Sequence, residues 1–216
     1  MQIVKIPYLS ADQVSLLQTT SKSKVQSMFD LLKTYIASRS DISEDTLDHI
    51  CSYFILVRAR RNEILVSFNE VCKGYYFVND GCLRLFTYNI DGNETTRYFG
   101  FKGGFCTALP SFIQQTVAQE YLQVISKSEL LYISRADFFH LVDTVPQFAA
   151  IYRGILELGF INAQKRIYGF QGFNALEKVR WIIEFQPEFL LRLSNKLAAS
   201  YLGISPSTLS RIKSRI

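Results

Sequence analysis

Apolar positions along the chain change their spacing twice. Up to about Arg39 they recur at helical intervals, with Leu16, Leu17, Val25, Phe29 and Leu32 set among Ser, Lys and Gln, which predicts an amphipathic helical segment. The following stretch DISEDTLDHICSYF opens a further helix with hydroxyl and acidic groups in its first turn, where the helix dipole favours them. From Arg58 to Ser134 the spacing shortens. Runs rich in Val, Ile, Tyr, Phe and Thr alternate with turn signals at Arg60–Glu63, Asn79–Gly81, Ile90–Asn93 and Lys102–Gly104. Turns at intervals of about ten residues predict an antiparallel sandwich or roll of about six to eight strands. From Pro146 the helical spacing returns. Phe148, Ile155 and Asn162 fall seven apart, with Ile151 or Tyr152 and Leu158 or Gly159 between them, a heptad-like seam. Leu156, Phe160 and Ile161 make this helix apolar on more than one side. It is expected to pack both on its own domain and on a partner helix, with burial inside its own chain as the alternative. Asn174 and Glu177 form a capping-box signature for a next helix, which Pro187 closes.

The last segment, LLRLSNKLAASYLGISPSTLSRIKSRI, carries the most chemistry. Ser194 is placed to cap a short helix from Asn195 to Tyr201, with Leu197, Ala198 and Leu202 on one face. Gly203 suits the left-handed residue that ends it. Ser205 caps a second helix, and Pro206 takes its first position, where a missing N–H costs nothing. Leu209, Ile212 and Ile216 form its expected buried stripe, which turns Ser207, Arg211 and Ser214 outward.

Charge reinforces this reading. Five basic residues (Arg192, Lys196, Arg211, Lys213, Arg215) and no acidic one lie from Phe189 onward, while the other 188 residues carry 19 of each sign. A basic end on an otherwise neutral chain suits a polyanion. Arg211 can donate a bidentate pair to guanine, and Ser194, Asn195, Lys196, Ser205, Pro206, Ser207, Thr208, Lys213 and Arg215 complete the expected DNA face. Chemistry of other kinds finds no footing. Cys51, Cys72, Cys82 and Cys106 form no C-x-x-C pair and no metal-ligand spacing with His49 or His140, so no metal site is expected and the thiols read as buried and free. No nucleophile triad, phosphate-binding glycine loop or carboxylate pair stands out, which argues against an enzyme. The N-terminus has no secretion-signal pattern and no apolar run reaches the ~18 residues of a membrane span, so a cytoplasmic location without membrane contact is expected.

The segment LGISPSTLSRIK resembles the helix-turn-helix of the Crp/Fnr family of transcription regulators. The stretch RRNEILVSFNEVCKGYYFVNDGCLRLFTYNIDGNETTRYFGFKGGF resembles that family's cyclic-nucleotide-binding β-roll. The helix from Pro146 resembles its dimerisation helix. The resemblance implies an α+β chain in three parts. Residues 1–145 would be N-terminal helices and an antiparallel, jelly-roll sensor domain, 146–171 a dimerisation helix, and 172–216 a (winged) helix-turn-helix domain. It further implies a homodimer on double-stranded DNA, with RNA polymerase as a partner. Phe148, Ile151, Tyr152, Ile155, Leu158, Gly159 and Asn162 would form the dimer interface.

Departures from the family bear on the effector. The Gly-Glu pair that holds a ribose in cyclic-nucleotide binders falls at Thr107 and Ala108, and the Arg-Ser pair that holds the phosphate at Ala118 and Gln119. Losing one charged partner of a buried ionic contact costs about 2–5 kcal/mol, and here both charged anchors are gone, which speaks against cyclic AMP. A pocket around Phe105, Leu109, Phe112 and Tyr121 would suit an apolar or neutral effector, although a filled or ligand-free pocket is the favoured expectation. No cofactor is expected. In the recognition helix, the two base-reading positions that are Arg and Glu in the family archetype are Pro206 and Ser207, so the DNA target should differ. At Ile216, where the archetype continues into a β wing, either the wing is absent or the chain extends further. The alternative to a regulator is an effector- or protein-binding module with weak or lost DNA binding.

Overall fold

The computed structural model describes residues 22–216, with side chains from Met28 onward. Leu16 and Leu17 of the first expected helix, and the side chain of Val25, lie outside the described residues. Two helices, α1 (Lys22–Ala37) and α2 (Glu44–Cys51), lead into eight strands: β1 (Ile55–Ala59), β2 (Ile64–Val66), β3 (Gly74–Asp80), β4 (Cys82–Tyr88), β5 (Glu94–Phe101), β6 (Phe105–Cys106), β7 (Tyr121–Val124) and β8 (Ser128–Ser134). A short α3 (Leu109–Gln114) separates β6 from β7. The strands form two four-stranded sheets, ordered β1-β8-β3-β6 and β2-β7-β4-β5, in which every pairing is antiparallel. After β8 come α4 (Arg135–Thr144), α5 (Pro146–Gly172), α6 (Ala175–Phe185), α7 (Phe189–Arg192), α8 (Asn195–Leu202) and α9 (Pro206–Lys213). The α+β architecture, the antiparallel roll and the long helix follow the sequence expectation.

The turn residues explain the roll's connections. Gly81, Gly92 and Gly103 all adopt positive φ, as does Asn62 in the Arg60–Glu63 turn. Gly81 is doubly constrained, because a Cβ there would stand 2.1 Å from Ser128 Oγ. The same hydroxyl accepts from the backbone N–H of Cys82, so the β3–β4 turn is fixed by both conformation and space.

A core of packed rings joins the β1-β8-β3-β6 sheet to the helices. Tyr75 stacks on Phe105 and Phe112 at 5.4 and 5.3 Å and meets the edge of Phe138 at 5.1 Å. Phe138 then contacts Phe148 and Tyr152 on α5. Such offset and edge-on pairs stabilise by about 0.5–1.5 kcal/mol each beyond the area they bury. Leu32 and Ile36 seal the core from α1 and are fully buried. Helix α4 falls in a stretch to which the sequence reading assigned no element. Ser134 caps it by accepting from Asp137 N–H, but Phe138, Phe139, Leu141 and Val142 surround it with apolar groups and blur the helical period.

The seam expected on α5 divides in two. Phe148 and Ile151 are buried in their own chain, 2% and 3% exposed, so they belong to the roll's core and cannot also face a partner. Tyr152 and Ile155 are half-buried against the same core. Leu158, Gly159 and Asn162 are exposed, together with Phe160, Ile161, Ile167 and Tyr168. The correction has a simple cause: α5 follows α4 so closely that its first two turns are drawn onto the roll.

The C-terminal helices have a core of their own that extends into the roll. Val179, Ile182, Leu190, Ala198, Ala199, Leu202 and Leu209 pack with Cys82 and Phe99 of the β4–β5 sheet. Phe189 lies against Phe99 and Tyr201 at 5.6 and 4.9 Å. Thr96, fully buried, shares a 2.7 Å hydrogen bond with Ser200 across the joint. Among the described residues no helix is long and apolar enough to cross a membrane.

Candidate nucleic-acid interface

Helix α8 begins where Ser194 Oγ accepts from Leu197 N–H, and it ends at Gly203, whose φ is +65°. Helix α9 begins where Ser205 Oγ accepts from Thr208 N–H at 3.0 Å, with Pro206 at its first position. Ala198 and Ala199 are 1% exposed and Leu209 is fully buried, so small residues on α8 let α9 approach closely. Lys213 Nζ donates to Asn195 Oδ1 at 3.1 Å and ties the two helices together. One residue departs from the expected stripe. Ile216 is 55% exposed, because α9 stops at Lys213 and Ser214 caps it, which leaves Leu209 and half-buried Ile212 as the packed face.

The outward face holds the residues selected from the sequence. Ser194, Lys196, Ser205, Pro206, Ser207, Arg211, Lys213 and Arg215 are exposed, while Asn195 and Thr208 are half-buried. Arg211 and Arg215 take part in no ion pair among the described residues. Lys196 lies close enough to Glu94 of the roll to help hold its carboxyl below the ordinary value, behind the larger effect of Arg84. Arg192 does not belong to this face. It pairs with Glu188 one turn earlier and its guanidinium lies over the Phe101 ring, so it secures the joint with the roll.

The residues expected around an effector separate. Phe105, Thr107 and Leu109 line a cavity of about 1020 Å³ between the roll, α5 and α8, which their own side chains do not fill. Ala108, Ala118, Gln119 and Tyr121 do not line it. Ala118 is buried and pairs through its backbone with Asn69 and Glu70; Gln119 is exposed. Tyr121 stacks on Phe86 at 5.1 Å on the outer sheet. The Thr107 hydroxyl donates to Gly74 O at 2.8 Å and is thereby satisfied within the roll. The intervening α3 turns these positions apart, an element the sequence reading did not contain.

The cavity also holds basic groups from outside the Phe105–Tyr121 stretch in which the sequence places the pocket. Arg97 and Arg166 both line it. Arg97 makes a two-bond pair with Glu120, at 2.9 and 2.7 Å. Arg166 reaches across from α5 to the carbonyls of Thr96, Arg97 and Tyr201. The signal for it was in the sequence: an Arg in an apolar helix with Phe170 one turn on, the spacing of a cation–π contact.

All four cysteines are buried and free. Burial pushes the Cys51 and Cys82 thiols up to about 12, far from the range of a reactive thiolate. Among the described residues no group of three His, Cys, Asp or Glu side chains could hold a metal ion.

Residues 56–145 match the cyclic nucleotide-binding domain family. The chain is similar in structure to FixK2 of Bradyrhizobium japonicum, with 17% identity and a TM-score of 0.66 over 75% of this chain and 83% of that one. It is similar to the c-di-GMP-responsive global regulator CLP of Xanthomonas campestris, with 15% identity and a TM-score of 0.65 over 80% and 91%. A transcriptional regulator of the Crp/Fnr family from Eubacterium rectale matches with 16% identity and a TM-score of 0.64 over 84% and 87%. No curated protein matches the sequence at a significant level.

Proposed function

We propose that this chain, Crp/Fnr-like in fold and carrying a cyclic nucleotide-binding domain, is a dimeric, sequence-specific DNA-binding transcription regulator that acts without cyclic AMP. One observation carries the reading: α9 presents Arg211, and the turn just beyond it Arg215, with no ion pair and no acidic neighbour on that exposed face, in a molecule whose residues 1–188 balance in charge. The α8–α9 pair is the helix-turn-helix, with α9 as its recognition helix. Arg211 reads a guanine through its fork of donors, and Lys196, Lys213 and Arg215 hold phosphates. The second half of α5 pairs with its counterpart in a second copy, covering Leu158, Phe160 and Ile161, which stand 54%, 65% and 47% exposed in the single chain. RNA polymerase is the further partner, and the cytoplasm the location.

The case against cyclic AMP rests on the positions of its usual anchors. Ala118 offers no guanidinium to a phosphate, and Thr107 has its hydroxyl committed to Gly74. Calorimetric titration should detect no binding at micromolar cyclic AMP, and a saturating micromolar isotherm would overturn this part of the proposal.

Selection of bound sequences from random DNA tests the main reading. The wild type should enrich a palindrome whose half-sites lie about one helical turn apart. Arg211→Ala should relax one guanine position by about 1–3 kcal/mol. A folded dimer that enriches nothing would overturn the proposal.

A further inference from the structure

The polar groups at the leading end of α9 are engaged with one another. Ser205 Oγ accepts from Thr208 N–H at 3.0 Å and donates to Thr208 Oγ1 at 2.8 Å. The proton it shares with Ser207 Oγ, 2.9 Å away, therefore comes from Ser207. Further along, Ser214 Oγ donates to Arg211 O at 2.9 Å. Asn195, the only side-chain amide from Phe189 onward, accepts through Oδ1 from Lys213.

Each base edge in the major groove suits one kind of side chain: guanine a fork of donors, adenine an amide, cytosine a carboxylate, and thymine, through its 5-methyl group, an apolar surface. Arg211 supplies the fork. No carboxylate occurs from Phe189 onward, and the one amide faces Lys213. Ser210 is exposed, but a serine hydroxyl donates or accepts and so discriminates little. An apolar readout is what remains, and recognition helices meet base edges with their N-terminal residues. Ile204 packs partly into the core of the C-terminal helices and Thr208 is half-buried, whereas Pro206, the first residue of α9, is exposed. Its ring is fixed and its nitrogen carries no proton, so no polar group loses water when the ring meets a methyl group. Pro206 precedes Arg211 by five residues, a helical rise of about 7.5 Å, or about two base steps of ~3.4 Å.

We propose that Pro206 reads a thymine through its 5-methyl group, two base pairs from the guanine read by Arg211. Each half-site is then specified by one donor fork and one methyl contact, and at the second position the protein separates 5-methylpyrimidines from unmethylated ones. The inference rests on the regulator reading above and gives its DNA target a chemistry.

Duplexes carrying the selected palindrome, compared at one salt concentration, test this. Deoxyuridine in place of the thymine removes the methyl group alone. With one half-site changed, wild-type affinity should fall about fourfold, the effect of one buried methyl group. With both changed, the loss should be about sixteenfold on the same scale. Cytosine at that position should bind better when 5-methylated than when unmodified, again by about fourfold. Pro206→Ser should bind the thymine and deoxyuridine duplexes within about twofold of each other, and Ser207→Ala should keep the full methyl effect. Equal binding of the two duplexes by the wild type would overturn the proposal. A methyl effect that survives Pro206→Ser, or one that disappears in Ser207→Ala, would overturn it as well. So would a selected site with no thymine two base pairs from the guanine that Arg211→Ala relaxes. The wild-type comparison uses no variant, so it decides even where Pro206→Ser folds poorly. A wild type that binds no duplex overturns the regulator reading and this one together; binding without methyl discrimination overturns this one alone.

Discussion

In the β-roll, Arg58, Arg84 and Arg97 each face a glutamate, Glu129, Glu94 and Glu120 respectively. On and just after α9, Arg211 and Arg215 face none among the described residues. The two regions differ equally in their cores. The roll packs the rings of one sheet against helices α3, α4 and α5, whereas the C-terminal helices complete their core with Cys82 and Phe99 from the roll. The contrast separates two uses of a charged side chain. A cation paired within the fold contributes to a stable frame, and a cation left unpaired on a rigid frame is free to meet an anion outside it. Arg166 is a third case, enclosed by the fold yet unpaired.

This contrast can be broken most severely in the roll's core. Phe138 touches Tyr75, Phe112, Phe148 and Tyr152, so Phe138→Ala should cost about 3–5 kcal/mol, read as a lower denaturant midpoint. A loss below about 1 kcal/mol, small for such a truncation, would mean the roll does not carry the stability assigned to it. Gly203→Ala should act on the other region alone. Its Cβ would meet nothing within 4 Å, so the penalty is the left-handed backbone itself, about 1–2 kcal/mol. DNA affinity should fall while the roll's unfolding stays unchanged; a matching shift in the roll would show that the regions unfold as one. Glu94→Gln should sharpen the picture with the smallest effect, about 1 kcal/mol at neutral pH. The hydrogen bond from Arg84 chiefly holds the Glu94 carboxyl below its ordinary 4.5. A lowered carboxylate pKa stabilises above the unfolded value and loses that contribution as pH falls through the folded one. Wild type and Glu94→Gln should therefore converge only in acid below about 4.5, as followed by urea titration across pH; convergence near neutrality would assign the effect to another group.

Local rules made much of this legible in the sequence. Capping at Ser194, Ser205 and Asn174, the left-handed Gly203 and the turns at Asn79–Gly81 and Lys102–Gly104 depend on residues within a few positions of one another. The residues chosen for the proposed DNA face emerged together because two adjoining short helices and their caps display nearly all of them. What escaped depends on contacts between distant segments. Phe148 and Ile151 share a period with Leu158, but only the three-dimensional proximity of α4 and the roll decides which half of the seam is enclosed. Arg166 gains its meaning from Thr96 and Tyr201, seventy residues before it and thirty-five after. The effector residues were placed by alignment with a pattern that α3 interrupts, so Tyr121 and Ala118 fell on other surfaces.

Helix α5 runs unbroken for 27 residues, a rod of roughly 40 Å gripped by the roll at one end through Phe148 and Ile151. Its far end carries Arg166 and leads directly into the C-terminal helices. A tilt of about five degrees at the gripped end displaces the other by roughly 3 Å over such a length, close to the ~3.4 Å rise between successive bases on a strand. On the regulator reading proposed above, a lever of this length, once Arg166 releases the carbonyls of Thr96 and Arg97, would turn a change of side-chain packing in the roll into a shift of about one base step at α9.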